Sequence, residues 1–316
     1  MILIVTHRAD ITADYLILEL QRRRTPYYRF NTDAFPTEMS LTVHNDGSFQ
    51  VASEGKTLHS PDIRAAWYRR YEAPPLNGID SEYHTFIKGE ARAFLDSLWK
   101  SLNVFWVSHP SAIQRAEGKM NQLQYARRKG MRTPFTLVTN DAKEARSFSS
   151  SRPTVAKPFR EKVIEPTPSE ARRIIFTTQV SADETEFQGL KLAPVIFQEE
   201  VPKDYEVRIT AIGDKLFGTA LDSQAQSESR VDWRREQAGN LLHTPINLPD
   251  EVASFCRDML ADYDLRFGAF DFAVTPEGEW VFFELNPNGQ WAWIEPLTKQ
   301  PLRETLADLL ESPHDV

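Results

Sequence analysis

The sequence predicts an α/β amino-terminal layer followed by two α+β units. Three observations carry this reading. Over the first 110 residues, short apolar runs alternate with long amphipathic patterns, the order of a strand–helix–strand layer. From Ser111 the texture changes to short β runs separated by polar stretches. In the last third, two hairpin patterns dominate. The expected units are 1–110, 111–190 and 191–316.

The elements follow in order. "MILIVT" is a buried strand rather than a leader, because no basic segment or cleavage site accompanies it. Asp10 and Thr12 can cap the helix that runs to Arg24, whose closing arginines complement its dipole. "YYRFN" is a strand, and "SLTVHNDGSFQVAS" a hairpin turning at Asn-Asp-Gly. "IRAAWYRRY" is a strand. The spacing of Phe86, Phe94, Leu95, Leu98 and Leu102 predicts a long amphipathic helix with those residues inward. "SAIQRAEGKMNQLQYARRKG" reads as one helix ended by Gly130. "FTLVTN", "PTVAKPF", "RIIFTTQV" and "APVIFQEEV" are short β runs. "YEVRITAIGDKLFGTALDS" is a hairpin through "GDK", "PDEVASFCRDMLADYDL" a helix, and "FGAFDFAVTPEGEWVFFELNPNG" a hairpin turning at "TPEG". No internal repeat or low-complexity linker interrupts them.

Composition excludes several classes. The formal net charge of -8 argues against nucleic acid as the main partner. No apolar run is long enough to span a bilayer. The single cysteine, Cys256, excludes an internal disulfide and a multi-cysteine metal site, and fits a reducing cytoplasm. In its helical setting it reads as a small buried thiol rather than a nucleophile.

The last hairpin holds the chemistry. Glu284 and Asn286 sit in an apolar run where a strand should bury Val or Leu, and strand alternation points both the same way. An even loop would pair Thr275 with Gly278 and Asp271 with Phe282, making Asp271 a diagonal neighbour of Glu284 on one face. An odd loop would put them on opposite faces. Two carboxylates and an amide oxygen are hard ligands. With no His or Cys nearby, they suit Mg²⁺ carrying a nucleotide better than zinc. A polar hairpin face open to water is the competing reading for any one of them. The apolar flanks favour coordination for the three together, since buried carboxylates are costly unless paired.

Cations for phosphates are available. Lys157 ends the apolar run "TVAKPF" before Pro158, and Lys119 lies in "EGKMNQ". Arg208 alternates with Val207 and Ile209, and Glu206 on its face is a rival partner in an ion pair. Arg234 and Arg235, in "DWRRE", suit a carboxylate or a transferring phosphoryl group, and equally suit solvated loop charges. "FQEEVP" suits a hinge where backbone groups meet an adenine edge.

In this order, "GKM", "TVAKPF", "FQEEV", "YEVRIT", "VDWRRE", "FGAFDFAV" and "FFELNPNGQWAWIE" resemble the ATP-grasp superfamily. "FQEEV…YEVRIT", "SQAQSESRVDWR" and "ELNPNGQWAWIE" narrow the resemblance to the ATP-grasp ribosomal peptide maturases, the graspetide or microviridin-type synthetases. The resemblance covers nearly the whole chain, including "WYRR". It implies an ATP-grasp fold in which two α+β lobes clamp ATP. Lys119 and Lys157 would contact the phosphates, and backbone groups around Glu199 and Val201 would read adenine. Glu206 would belong to the nucleotide site. Asp271, Glu284 and Asn286 would hold Mg²⁺, with Arg208 and Arg234 facing the phosphoryl group and the acceptor carboxylate. One departure stands out: Arg160 to Gln188 contains no glycine, where many relatives have a glycine-rich loop over the phosphates.

The implied reaction is ADP-forming. A side-chain carboxylate of a ribosomal precursor peptide attacks the γ-phosphorus, and a Ser, Thr or Lys side chain of the same peptide closes a lactone or lactam. Asp222, Glu206, His243 and the phosphate itself are the candidate bases. The implied partner is a precursor with a leader and an acidic core. Arg160, Lys162, Arg172 and Arg173 could bind an acidic leader, or could be a solvated helix face paired with Glu161, Glu165 and Glu170. Trp291 and Trp293 are expected to pack the core or the floor of the site. Relatives commonly form homodimers. The competing functions are a ligase adding a free amino acid to a peptide or protein terminus, and a nucleotide-binding scaffold without ligase activity.

Overall fold

The computed structural model describes residues 1–53, 55–159, 163–164, 173–183, 186–224 and 242–312. The amino-terminal layer is a parallel sheet of order β2-β1-β6-β7, built from β1 (Ile2–Thr6), β2 (Tyr27–Asn31), β6 (Ala65–Tyr68) and β7 (Phe105–Val107). Helix α1 (Ile11–Arg23) starts at Asp10, whose carboxylate accepts the Thr12 N–H and caps the first turn. The predicted hairpin forms as β3 (Ser40–Val43) and β4 (Phe49–Ser53), with Gly47 at φ +84° in the turn, and β5 (Lys56–His59) adds a third strand. Helix α2 (His84–Ser101) buries Ala91, Leu95, Leu98 and Trp99. Phe86 is 69% exposed and Phe94 37%, so the apolar stripe lies partly off the predicted face. Trp99, which the spacing argument left out, fills the inward side against Phe30 and Phe49.

The predicted single helix from Ser111 is two: α3 (Pro110–Ala116) and α4 (Lys119–Arg128). Gly118 breaks them by taking the extended conformation of a helix N-cap, so Lys119 opens the second helix. Gly130, at φ +82°, closes it as expected.

The second sheet has order β12-β9-β13-β8, from β8 (Thr136–Thr139), β9 (Thr154–Pro158), β12 (Thr178–Val180) and β13 (Val195–Glu199). Helix α5 (Ala142–Ser150), absent from the sequence reading, covers it, capped by Asp141. The pair β10 (Val163–Ile164) and β11 (Arg173–Ile174) forms an antiparallel ribbon of its own, which puts Arg173 on a strand. Strand β13, expected to open the third unit, pairs with β8 and β9 instead, so its sheet is that of the second unit.

The third sheet, order β16-β15-β14-β17-β18, holds β14 (Tyr205–Ile212), β15 (Lys215–Leu221), β16 (His243–Ile246), β17 (Phe267–Val274) and β18 (Trp280–Asn286). Helix α6 (Asp250–Asp262) packs on it through Phe255, Cys256 and Met259. Burial pushes the Cys256 thiol pKa up, in keeping with an inert core residue. Short α7 (Ile294–Thr298) and α8 (Leu302–Glu311) follow, and α8 packs against α1.

Candidate active site

The β17–β18 hairpin departs from the expected register twice. Thr275 pairs with Glu279, not Gly278, so the loop is odd. Alone, that would place Asp271 and Glu284 on opposite faces. A β-bulge between Asp271 and Phe272 then inserts one residue: Phe272 pairs with Phe282, but Asp271 pairs with Glu284. The second irregularity reverses the first, and the two carboxylates stand directly opposite each other. Asn286 lies two residues on, opposite Ala269.

The next residues form a tight turn. In Asn286-Pro287-Asn288-Gly289 the Gly289 N–H donates to the Asn286 carbonyl at 3.2 Å. The Asn288 N–H donates to Asn286 Oδ1 at 3.1 Å, which fixes the amide. A Cβ on Gly289 would lie 2.3 Å from Ala269 Cβ and 2.7 Å from Arg208 Nη2, so only glycine lets the turn sit this close.

Both carboxylates face cations. Lys119 Nζ donates to Glu284 Oε2 at 2.9 Å, and Arg208 Nη1 to Asp271 Oδ1 at 2.7 Å. Arg208 pairs with Asp271 across β14 and β17, and its Nη2 also donates to the Gln290 carbonyl at 3.3 Å. The rival partner Glu206 takes a bond from Lys203 at 2.8 Å. Lys119 is aimed by its own helix. Three residues on, Gln122 both accepts the Leu285 N–H and donates to the Leu285 carbonyl, each at 2.8 Å. A side-chain amide thus serves as the next strand beside β18, holding α4 in register with Glu284. Gln122 escaped the sequence reading because its partner is a backbone 163 residues away.

The donor set fits a magnesium ion. Asp271, Glu284 and the Asn286 amide are hard oxygens, and Mg²⁺ needs only one or two carboxylates besides water and phosphate. Among the described residues no group of three or more His, Cys, Asp or Glu is placed to hold a metal. Arg208 Nε is buried without a hydrogen-bond partner among the described residues, a donor suited to an anion arriving beside Asp271.

The remaining candidates lie elsewhere. Lys157 sits on β9 opposite Ile196, half-buried, in the second sheet. Glu199 ends β13 at the crossing between sheets. Its N–H donates to the Phe135 carbonyl at 2.9 Å, and its carboxylate accepts from the Phe135 N–H and Arg132. The Glu200 N–H donates to the Pro153 carbonyl. These two N–H groups are therefore already used, and an adenine edge would have to be read by other groups of this hinge. Val201 is buried just beyond. Arg234 and Arg235, like Arg160, Lys162 and Arg172, lie outside the described residues. Trp291 is fully buried against Trp67 in the core, and the half-buried Trp293 packs on His243.

Residues 1–114 match the family described as the MvdD pre-ATP grasp domain. The macrocyclase MdnC from Microcystis aeruginosa MRC, solved with its precursor peptide MdnA, superposes with a TM-score of 0.89 at 27% identity, covering 99% of this chain and 100% of that one. This chain is an ATP-grasp ligase. A RiPP-associated ATP-grasp ligase from Chryseobacterium gregarium, solved with ADP and a leader and core peptide, is as similar to this ligase: TM-score 0.89, 28% identity, 99% and 96% coverage. A probable alpha-L-glutamate ligase from Photobacterium profundum is 24% identical over 221 residues, 67% of the ligase and 69% of that protein.

Proposed function

We propose that this ligase closes side-chain crosslinks in a ribosomally made precursor peptide. The observation that carries the reading is the end-to-end likeness, at TM-score 0.89, to a macrocyclase solved with its precursor. A carboxylate oxygen of the peptide attacks the γ-phosphorus of ATP, the bond to the β-phosphate oxygen breaks, and ADP leaves. The acyl phosphate is then attacked at its carbonyl carbon by a hydroxyl or amine of the same peptide. Phosphate leaves and the nucleophile's proton passes to a base. Holding both groups on one chain gives ring closure a high effective molarity.

In this reading Asp271, Glu284 and Asn286 hold Mg²⁺, which would neutralise phosphate charge when bound. Arg208 offers its buried Nε and Asp271-anchored guanidinium to the transferring phosphoryl group. Lys119, bonded to Glu284 of the third sheet, and Lys157, on the second, bind the phosphates, so a clamped nucleotide draws the two sheets together. Glu206, with its Lys203 partner, and the Glu199–Val201 hinge border the nucleotide. Arg234 completes the acceptor site. The units are 1–110, 111–190 and 191–316, with the β13 strand joined to the middle one. The partner is a precursor with a leader and an acidic core, and the ligase works in the cytoplasm as a homodimer.

The test is incubation with a co-encoded peptide, ATP and Mg²⁺. Loss of one water per crosslink with stoichiometric ADP is the expected result. The likeness to a glutamate ligase motivates one rival outcome, gain of an amino-acid mass. Nucleotide binding with neither product would reduce the protein to a scaffold.

A further inference from the structure

In open parallel sheets, ligands gather where neighbouring strands depart in opposite directions, at the carboxyl ends of those strands. Here that point lies between β1 and β6, at the centre of the order β2-β1-β6-β7. The side chains that emerge there are Asp10, just after β1, and Arg69, just after β6. What they hold is the turn that follows the metal strand. Arg69 Nη1 donates to the Asn288 carbonyl at 2.9 Å and to the Gly289 carbonyl at 3.2 Å.

The clamp is built to stay charged while buried. The Arg69 side chain is 0% exposed and that of Asp10 1%. Arg69 Nε donates to Asp10 Oδ2 at 3.1 Å, and its guanidinium lies 5.0 Å from the Trp67 ring centre. Asp10 also accepts the Thr6 hydroxyl at 2.7 Å and the Thr12 N–H at 3.1 Å. A buried pair of this kind adds little stability over an apolar pair of the same volume. The two carbonyls give the pair a role besides stability. Arg208 Nη2 donates to the next carbonyl, that of Gln290, at 3.3 Å. The backbone of 288–290 is therefore held between an arginine of the amino-terminal layer and an arginine of the carboxyl-terminal sheet.

We propose that Arg69 is a positioning residue for the magnesium site, fixing the 286–289 turn so that Asn286 stays beside Glu284. The inference rests on the reading of Asp271, Glu284 and Asn286 as metal ligands. Arg69 touches neither metal nor substrate, so its effect must pass through Asn286. Supporting groups of this kind typically change metal affinity by about 10–100-fold.

The test is Mn²⁺ titration of the full chain with ADP, followed by electron paramagnetic resonance, alongside thermal melts. R69K is expected to remain folded and to lose Mn²⁺ affinity by roughly 10–100-fold, approaching N286A. The double variant R69K/N286A should be no worse than N286A alone, because both act through one ligand. R23M breaks the α1–α8 contact far from the turn; it should lower the melting temperature and leave Mn²⁺ affinity unchanged. Wild-type affinity in folded R69K, an additive double variant, or an equal loss in R23M each overturns the proposal. Should R69K not fold, D10N takes its place, since Asn preserves the helix cap while weakening the grip on Arg69. A folded D10N with unchanged Mn²⁺ affinity then overturns it. If D271N, E284Q and N286A all bind Mn²⁺ normally, the metal reading itself fails. If they lose it and R69K does not, only the positioning role fails.

Discussion

Lys119 has two uses in the proposed site. It donates to Glu284 at 2.9 Å, and in the proposed reading the same ammonium would serve phosphate once a divalent ion took the carboxylate. Among the described residues each carboxylate accepts from one cation, so an incoming ion must displace a charge-assisted bond. K119M should therefore bind Mn²⁺ more tightly than wild type without nucleotide, and lose crosslinking by at least ~100-fold with it. Calorimetry on the first and mass spectrometry on the second check the two signs. D271N should be worse folded as well as inactive, because it leaves Arg208 half-satisfied in a buried position; a cost of about 3 kcal/mol in urea unfolding is expected. At this scale Glu284 and Asn286 were legible in the sequence, since a polar residue inside an apolar strand announces itself. Gln122, Arg69 and Gly289 were not. Gln122 and Arg69 bond to backbone groups more than 160 residues away, and Gly289 makes room for a methyl group and a guanidinium on other strands. Such partners leave no mark on composition or spacing.

Elements were legible in kind and less so in phase. The β17–β18 hairpin was readable from its alternation and its Thr-Pro-Glu-Gly turn. Its register was not, because loop parity and a bulge each shift faces by one residue and only their combination sets Asp271 against Glu284. The α3–α4 break was hidden for a related reason: Gly118 is tolerable inside a helix and only tertiary docking of Gln122 decides otherwise. The close turn makes a direct prediction. G289A should lower stability by about 1–3 kcal/mol and reduce activity beyond that, since relief requires the turn to move off Ala269 and Arg208. Equilibrium unfolding paired with a crosslinking assay separates the two effects. The α1–α8 contact makes another. The bond from Arg22, aided by Arg23 against the opposing effect of burial, lowers the Glu19 pKa from the ordinary 4.5 to about 2, and Arg23 reaches on to Asp308 and Glu311 of α8. A depressed carboxylate pKa adds stability that is present above 4.5 and lost as pH falls toward 2. E19Q should therefore be less stable than wild type at neutral pH, with the gap closing as pH falls through that window in urea titrations.

Across the whole molecule, the cores divide unevenly. One cluster runs from Leu3 and Phe30 through Tyr125 to Phe255 and Phe282, and a second joins Ile4 and Leu16 to Phe267 and Leu306. The amino-terminal layer and the third sheet thus share their packing. The second sheet has a small core of its own, with Ala145, Phe187, Leu190 and Phe197 buried. The strands entering and leaving it run side by side. Glu199 and Phe135 exchange backbone and side-chain bonds, and Arg132 ties Glu199 to Glu279 on the hairpin. Such a two-stranded connection permits rotation of the second sheet about the other two. Overall α/β organisation was legible because periodicity reports it, but this division of cores was not, because it depends on which apolar faces meet. Local opening is easiest where buried apolar contacts are few. Amides of β8, β9 and β13 should therefore exchange hydrogen faster than those of β14 and β17 in the free ligase. Mg²⁺ and ADP should slow the first group and leave the second nearly unchanged, as phosphates bridge Lys157 to the rigid side. Uniform protection of all five strands on nucleotide binding would show that the three units close as one body and that the second sheet is no separate jaw.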